Sequence, residues 1–175
     1  METPTFSDPS NFRSAHSVLV VDDNPAMKYS VARNLRAVGY RTVEASGGAE
    51  ALELSEFVSA VVIDVHLPDL DGFEVCRLLR ARRSTAQLPV IHFSSISIDG
   101  FDARAAAECG ADGFLAAPVD TAELTSTLDR LLARRVQADA IVVAVDDGTP
   151  PGDRSGSGVQ SVVDQMTLGE KAPGS

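Results

Sequence analysis

The chain has 175 residues, of which 44% are hydrophobic, and a formal net charge of −10 at pH 7. That length accommodates one ordinary domain with flanks, and the hydrophobic share suffices for a core. The acidic balance argues against nucleic acid or an anionic membrane as the direct partner, and no apolar run approaches the roughly 20 residues of a membrane span.

Residues 1–16 are polar, include Pro4 and Pro9, and lack the basic start and apolar stretch of a signal peptide. They are expected to be a disordered tail. From Ser17 to Arg135 apolar strands alternate with amphipathic helices. The strand candidates are Val18–Val21, Arg41–Ala45, Ala60–Ile63, Val90–Phe93 and Gly113–Leu115. Three of them are nearly continuous apolar runs, as in strands covered on both faces of a parallel sheet. The helix candidates are Pro25–Val38, Gly48–Glu56, Gly72–Arg82, Gly100–Cys109 and Thr121–Arg135. Asn24 can cap the first, with Pro25 at its first position, and Gly39 stands where it should stop. Asp71 and Asp99 are cap candidates for the third and fourth, and Asp120 or Thr121 for the fifth. Five βα units in this space imply an open, doubly wound parallel sheet.

After Arg135 the pattern weakens. Ala138–Val145 reads as a continuation of the last helix or a linker, and 146–175 are rich in Gly, Pro, Ser and Asp, as in a disordered tail. The domain is thus expected at 17–135, with linker and tail at 136–175. The Arg-rich stretches Arg80–Arg83 and Arg130–Arg135 read as solvated helix faces. Cys76 and Cys109 read as small buried hydrophobes of a reducing, cytoplasmic protein. His92 reads as a satisfied core histidine and His66 as an exposed loop histidine.

Functional groups of such sheets gather beyond the carboxyl ends of the strands. Asp22 and Asp23 end the first apolar run, Asp64 the second, and Ser94 follows the third. An adjacent acidic pair alone would read as helix-start residues complementing the dipole. Three carboxylates at matching strand ends stay ionised together only with a cation among them. Oxygen donors with open water positions suit Mg²⁺. With such a metal, one carboxylate can attack phosphorus and form an acyl phosphate, and Ser94 can donate to a phosphoryl oxygen.

Four stretches carry a specific likeness: Val20-Val-Asp-Asp23, Ile63-Asp-Val-His-Leu-Pro-Asp-Leu-Asp-Gly72, Leu88-Pro-Val-Ile-His-Phe-Ser94 and Gly110-Ala-Asp-Gly-Phe-Leu-Ala-Ala-Pro118. In that order, over about residues 17–135, the chain resembles the receiver domains of bacterial two-component response regulators. The resemblance implies the (βα)5 flavodoxin-like receiver fold. It implies Asp64 as phosphoacceptor, Asp23 as a direct Mg²⁺ ligand, Asp22 as its acidic neighbour, and the main-chain carbonyl of His66 as a third protein ligand. Ser94 and Phe114 match the switch hydroxyl and the switch aromatic; Phe114 lacks the hydroxyl of a tyrosine. Pro68 and Gly72 match the loop after the phosphoacceptor. Ser95 stands where a smaller residue is usual.

One position departs. Ala117, before Pro118, stands where the family usually has a lysine that pairs with a phosphoryl oxygen. A charge-assisted contact of that kind is worth roughly 1.5–3 kcal/mol. Two readings follow. In the first, a histidine kinase or phosphotransfer protein phosphorylates Asp64 and the domain signals to a downstream protein, acting as a single-domain regulator because no DNA-binding domain follows Arg135. The face made by the fourth helix, fifth strand and fifth helix would shift, and a homodimer through it is one arrangement the family implies. In the second, the domain is a pseudo-receiver that binds partners without phosphate. Independent substrate turnover is not expected: a hydrolase with Asp64 as nucleophile would lack a general acid beside it.

Overall fold

The computed structural model describes residues 9–94 and 101–145, and for 101, 102 and 141–145 the backbone alone. Five parallel strands, β1 (Ser17–Val21), β2 (Arg41–Ala45), β3 (Ala60–Asp64), β4 (Val90–Ser94) and β5 (Gly113–Ala116), form one sheet in the order β2-β1-β3-β4-β5. The helices are α1 (Pro9–Ser14), α2 (Pro25–Ala37), α3 (Gly48–Leu54), α4 (Gly72–Ala81), α5 (Phe101–Glu108) and α6 (Thr121–Val145), with a 3-10 turn at Ser55–Phe57 after α3. This is the doubly wound arrangement that the alternating pattern predicts, in the flavodoxin-like form that the resemblance implies.

Alternate residues of each strand feed opposite layers. Leu19, Val21, Val61, Ile63 and Val90 pack with α3, α4 and the end of α5. Val18, Val20, Val62, Ile91 and Phe93 pack with α2 and α6. The central strands β3 and β4 are buried throughout, while the edge strands β2 and β5 are only partly buried. That difference explains why the central strands read as continuous apolar runs.

Local chemistry sets the helix ends. The Asn24 side chain accepts from the Ala26 and Met27 amides and Pro25 opens α2. The chain leaves α2 through Gly39 at φ 107°, a left-handed conformation that glycine adopts without a Cβ clash. Asp71 accepts from the Phe73 amide at 2.7 Å, and Asp120 from that of Glu123 at 2.8 Å. The expected Asp99 cap lies outside the described residues, as does Ser95.

Three expectations need correction. Within the N-terminal stretch expected to be disordered, Pro9–Ser14 is helical. Six residues are too few to hold a helix alone; tertiary contacts hold this one. Phe12 packs on the α2–α6 layer, and Arg13 makes a two-pronged contact to Asp129 on α6, at 3.0 and 2.6 Å. The Tyr40 hydroxyl donates to the same carboxylate at 2.6 Å. Second, the domain boundary at 135 moves: of the two readings of Ala138–Val145, a continuation of the last helix and a linker, the helix is the one observed, and 136–145 belong to α6. No glycine or proline interrupts residues 121–145, so nothing in the sequence breaks the helix there. Residues 1–8 and 146–175 lie outside the described residues. Third, the Arg80–Arg83 stretch is not wholly solvated. Arg80 donates to the carbonyls of Gly110 and Leu88 and pairs with Asp112 at 2.9 Å. Arg82 donates to the Leu52 carbonyl at 3.0 Å.

Candidate functional site

The carboxyl ends of β1 and β3 bring Asp22, Asp23 and Asp64 together: one oxygen from each lies within 4.8 Å of the other two. They line a cleft of about 460 Å³ with Asn24, Met27, His66 and Phe93. Asp22 is 3% exposed and Asp64 9%, whereas Asp23 faces solvent. The amide of Asn24 donates to Asp22 at 2.7 Å, which turns the chain from β1 into α2 and aims the carboxylate at the cleft.

Burial, followed by repulsion from Asp22, pushes the Asp64 carboxyl up to about 6. Asp22 is raised as well, first by burial and then by Asp23, while the Asn24 amide and Lys28 act the other way. Oδ1 of Asp64 is buried and has no hydrogen-bond partner among the described residues. A buried, unpartnered carboxylate oxygen facing two further carboxylates suits a hard cation.

Behind Asp64 the backbone passes unusually close. A Cβ on Gly72 would stand 2.3 Å from the Asp64 carbonyl oxygen and 3.0 Å from Val65 Cα. Only glycine lets α4 begin there, with its amide donating to the Val65 carbonyl at 2.9 Å. The loop between is fastened elsewhere too. Asp69 accepts from the amides of Gly48 and Ala49 at 2.8 and 2.9 Å, capping α3. These two amides hold the Asp69 carboxyl down at about 2. This cap escaped the sequence reading, because it joins residues about 20 positions apart and leaves no local pattern.

Ser94 ends β4 and is 1% exposed. Its carbonyl accepts from the Ala117 amide at 2.8 Å, so the position without a lysine adjoins the hydroxyl-bearing residue. Ala117 is half-buried. Phe114 is also half-buried and packs against the layer of α3, α4 and α5. His66 is exposed at the mouth of the cleft.

A five-stranded parallel sheet that delivers three carboxylates to one cleft is the arrangement of the receiver domains of two-component signalling. Residues 18–129 match the family model of the response regulator receiver domain, and the chain belongs to that family. Among curated relatives, it is 34% identical over 124 residues to the DNA-binding dual master transcriptional regulator RpaA of Synechocystis sp., covering 67% of this chain and 49% of that protein. It is 39% identical over 125 residues to the response regulator MprA of Mycolicibacterium vanbaalenii, covering 70% and 52%. The chain thus spans about half the length of the curated relatives it matches. Among solved structures, the receiver domain of the sensor histidine kinase PA1611 from Pseudomonas aeruginosa has a TM-score of 0.62 and 30% identity, over 67% of this chain and 98% of that one; it carries a magnesium ion in its active-site cleft. A response regulator structure from Chloroflexus aurantiacus has a TM-score of 0.64 and 31% identity, over 67% and 98%. No described helix is long and apolar enough to cross a membrane.

Proposed function

We propose that this chain accepts a phosphoryl group on Asp64 from a phosphohistidine of a histidine kinase or phosphotransfer protein, and signals through contacts with a downstream protein. The observation that carries this reading is the convergence of Asp22, Asp23 and Asp64, with Asp64 Oδ1 buried and unpartnered. Asp22, Asp23, Asp64 and the main-chain carbonyl of His66 would hold Mg²⁺. That ion supplies positive charge against the carboxylates and the transferring group. A carboxylate oxygen of Asp64 attacks phosphorus, the donor's P–N bond breaks, and its electron pair returns to the imidazole. Ser94 donates to a phosphoryl oxygen and, with Phe114, passes the change to the face of α5, β5 and α6. That face is the surface for a partner, or for a second copy of the chain. The setting is cytoplasmic, and the domain turns over no separate substrate.

The alternative is a pseudo-receiver, favoured by Ala117. Intact mass after incubation with acetyl phosphate and Mg²⁺, beside Asp64→Asn, separates the two. An adduct of one phosphoryl group, absent from Asp64→Asn, is expected. No adduct under any Mg²⁺ concentration overturns the phosphoacceptor reading in favour of the pseudo-receiver.

A further inference from the structure

On the layer opposite α2 and α6 lies a second cluster of ligating groups. Cys76 of α4, His92 of β4 and Cys109, just past α5, each place one donor atom within 4.8 Å of the other two. All three are interior, at 0%, 0% and 4% exposure. Cys109 Sγ stands 3.6 Å from His92 Nε2. Two ligands of one tetrahedral ion, with metal–sulfur bonds of about 2.3 Å and metal–nitrogen bonds of about 2.05 Å, stand roughly 3.6 Å apart. The pair already has the spacing of ligands that share an ion.

The other contacts are weak and replaceable. Cys76 Sγ meets the Cys109 carbonyl at 3.4 Å, and Cys109 Sγ meets the Ala106 carbonyl at 3.0 Å. The His92 ring packs edge-on to Phe73 with centroids 5.0 Å apart. Its Nδ1 is buried without a hydrogen-bond partner among the described residues. The expectation of a core histidine holds, with the Ile63 backbone as a hydrogen-bonding neighbour, while Nε2 faces a thiol. Burial keeps the imidazole neutral, the form in which it ligates metals.

We propose that Cys76, His92 and Cys109 form a binding site for one thiophilic d10 metal ion, Zn²⁺ or Cu⁺. Soft thiolates with an imidazole select such ions, whereas the all-oxygen cluster at Asp64 suits Mg²⁺. On capture, each S–H bond breaks as a metal–sulfur bond forms, and two protons leave to solvent; no electron is transferred. Zn²⁺ with two thiolates and a neutral imidazole sums to zero charge, which an apolar interior tolerates. Cu⁺ leaves one negative charge but is content with three ligands. Either ion would tie α4 to β4 and to the end of α5, two residues from Ser94.

The test uses the full chain, reduced, in excess Mg²⁺ to saturate the acidic cleft. Zn²⁺, or Cu⁺ kept reduced, is added, unbound metal is removed, and metal content is measured; Co²⁺ substitution reports thiolate charge-transfer absorption. One equivalent of one of these ions per chain is expected. Retention should fall at least about tenfold in Cys76→Ser and in Cys109→Ser, and stay intact when Asp22, Asp23 and Asp64 are all changed to Asn. Cys76→Ala and Cys109→Ala serve if the serine variants do not fold, as judged by circular dichroism. No retained metal in the parent chain, or retention in Cys76→Ser and Cys109→Ser equal to the parent's, overturns the site.

Discussion

The carbonyl oxygen of Asp64 occupies the space into which a side chain on Gly72 would project, 2.3 Å from where its Cβ would stand. Asp64 and the start of α4 are therefore fixed against each other by the absence of one methyl group.

Gly72→Ala should accordingly destabilise the domain by about 1–3 kcal/mol, the usual penalty of overpacking a filled interior. It should also slow acetyl-phosphate labelling, because relief of the clash moves Asp64. Denaturant unfolding beside labelling kinetics checks both. Unchanged stability would mean that α4 can slide away freely.

Asp64 itself stands against stability. Its carboxyl is raised to about 6 by burial and by Asp22, so above that pH the folded state holds a charge that the unfolded chain carries more easily. The penalty is full above about pH 6 and relieved as pH falls toward the ordinary value near 4. Asp64→Asn should thus unfold about 1–3 kcal/mol later than the parent at pH 7 without Mg²⁺. The gap should narrow at pH 4.5 and when Mg²⁺ is added. A gap that ignores both pH and Mg²⁺ would assign the gain to something other than charge.

Arg13 and Asp129 make a prediction of opposite sign. Burial works to raise the Asp129 carboxyl, but the hydrogen bonds from Arg13 and Tyr40 outweigh it, and the group lies below its ordinary value. Its contribution is present above about pH 4 and lost as pH falls below that. The side chains remain 21% and 33% exposed, so Arg13→Ala should cost only about 1–2 kcal/mol. Thermal unfolding at pH 7 and pH 3 checks this, with the difference shrinking at the lower pH.

Just past the carboxyl end of β5, Ala117→Lys should raise the rate of acetyl-phosphate labelling roughly tenfold or more, the equivalent of one charge-assisted contact of about 1.5–3 kcal/mol. Equal labelling of the two forms would show that position 117 does not limit the chemistry.

Most of the sheet was legible in the sequence. Residues of β3 and β4 are buried on both faces, so their runs stayed apolar apart from His92 and the closing Asp64 and Ser94. Asp22, Asp23, Asp64 and Ser94 were legible for a related reason: polar residues closing such runs can only lie at strand ends. What escaped depends on partners far along the chain. The Asp69 cap on α3, the Arg13–Asp129–Tyr40 contact that holds α1, and the Cys76–His92–Cys109 cluster each join separate elements. In each case the residue alone fits an ordinary surface or core role, and only the folded neighbourhood reveals the other.

The segment after Asp64 is anchored twice, by Gly72 against the Asp64 carbonyl and by the Asp69 carboxylate on the first amides of α3. A hinge needs slack, and this loop has none. On its other side Asp64 adjoins β4, whose last residue, Ser94, pairs with β5 and accepts from the Ala117 amide.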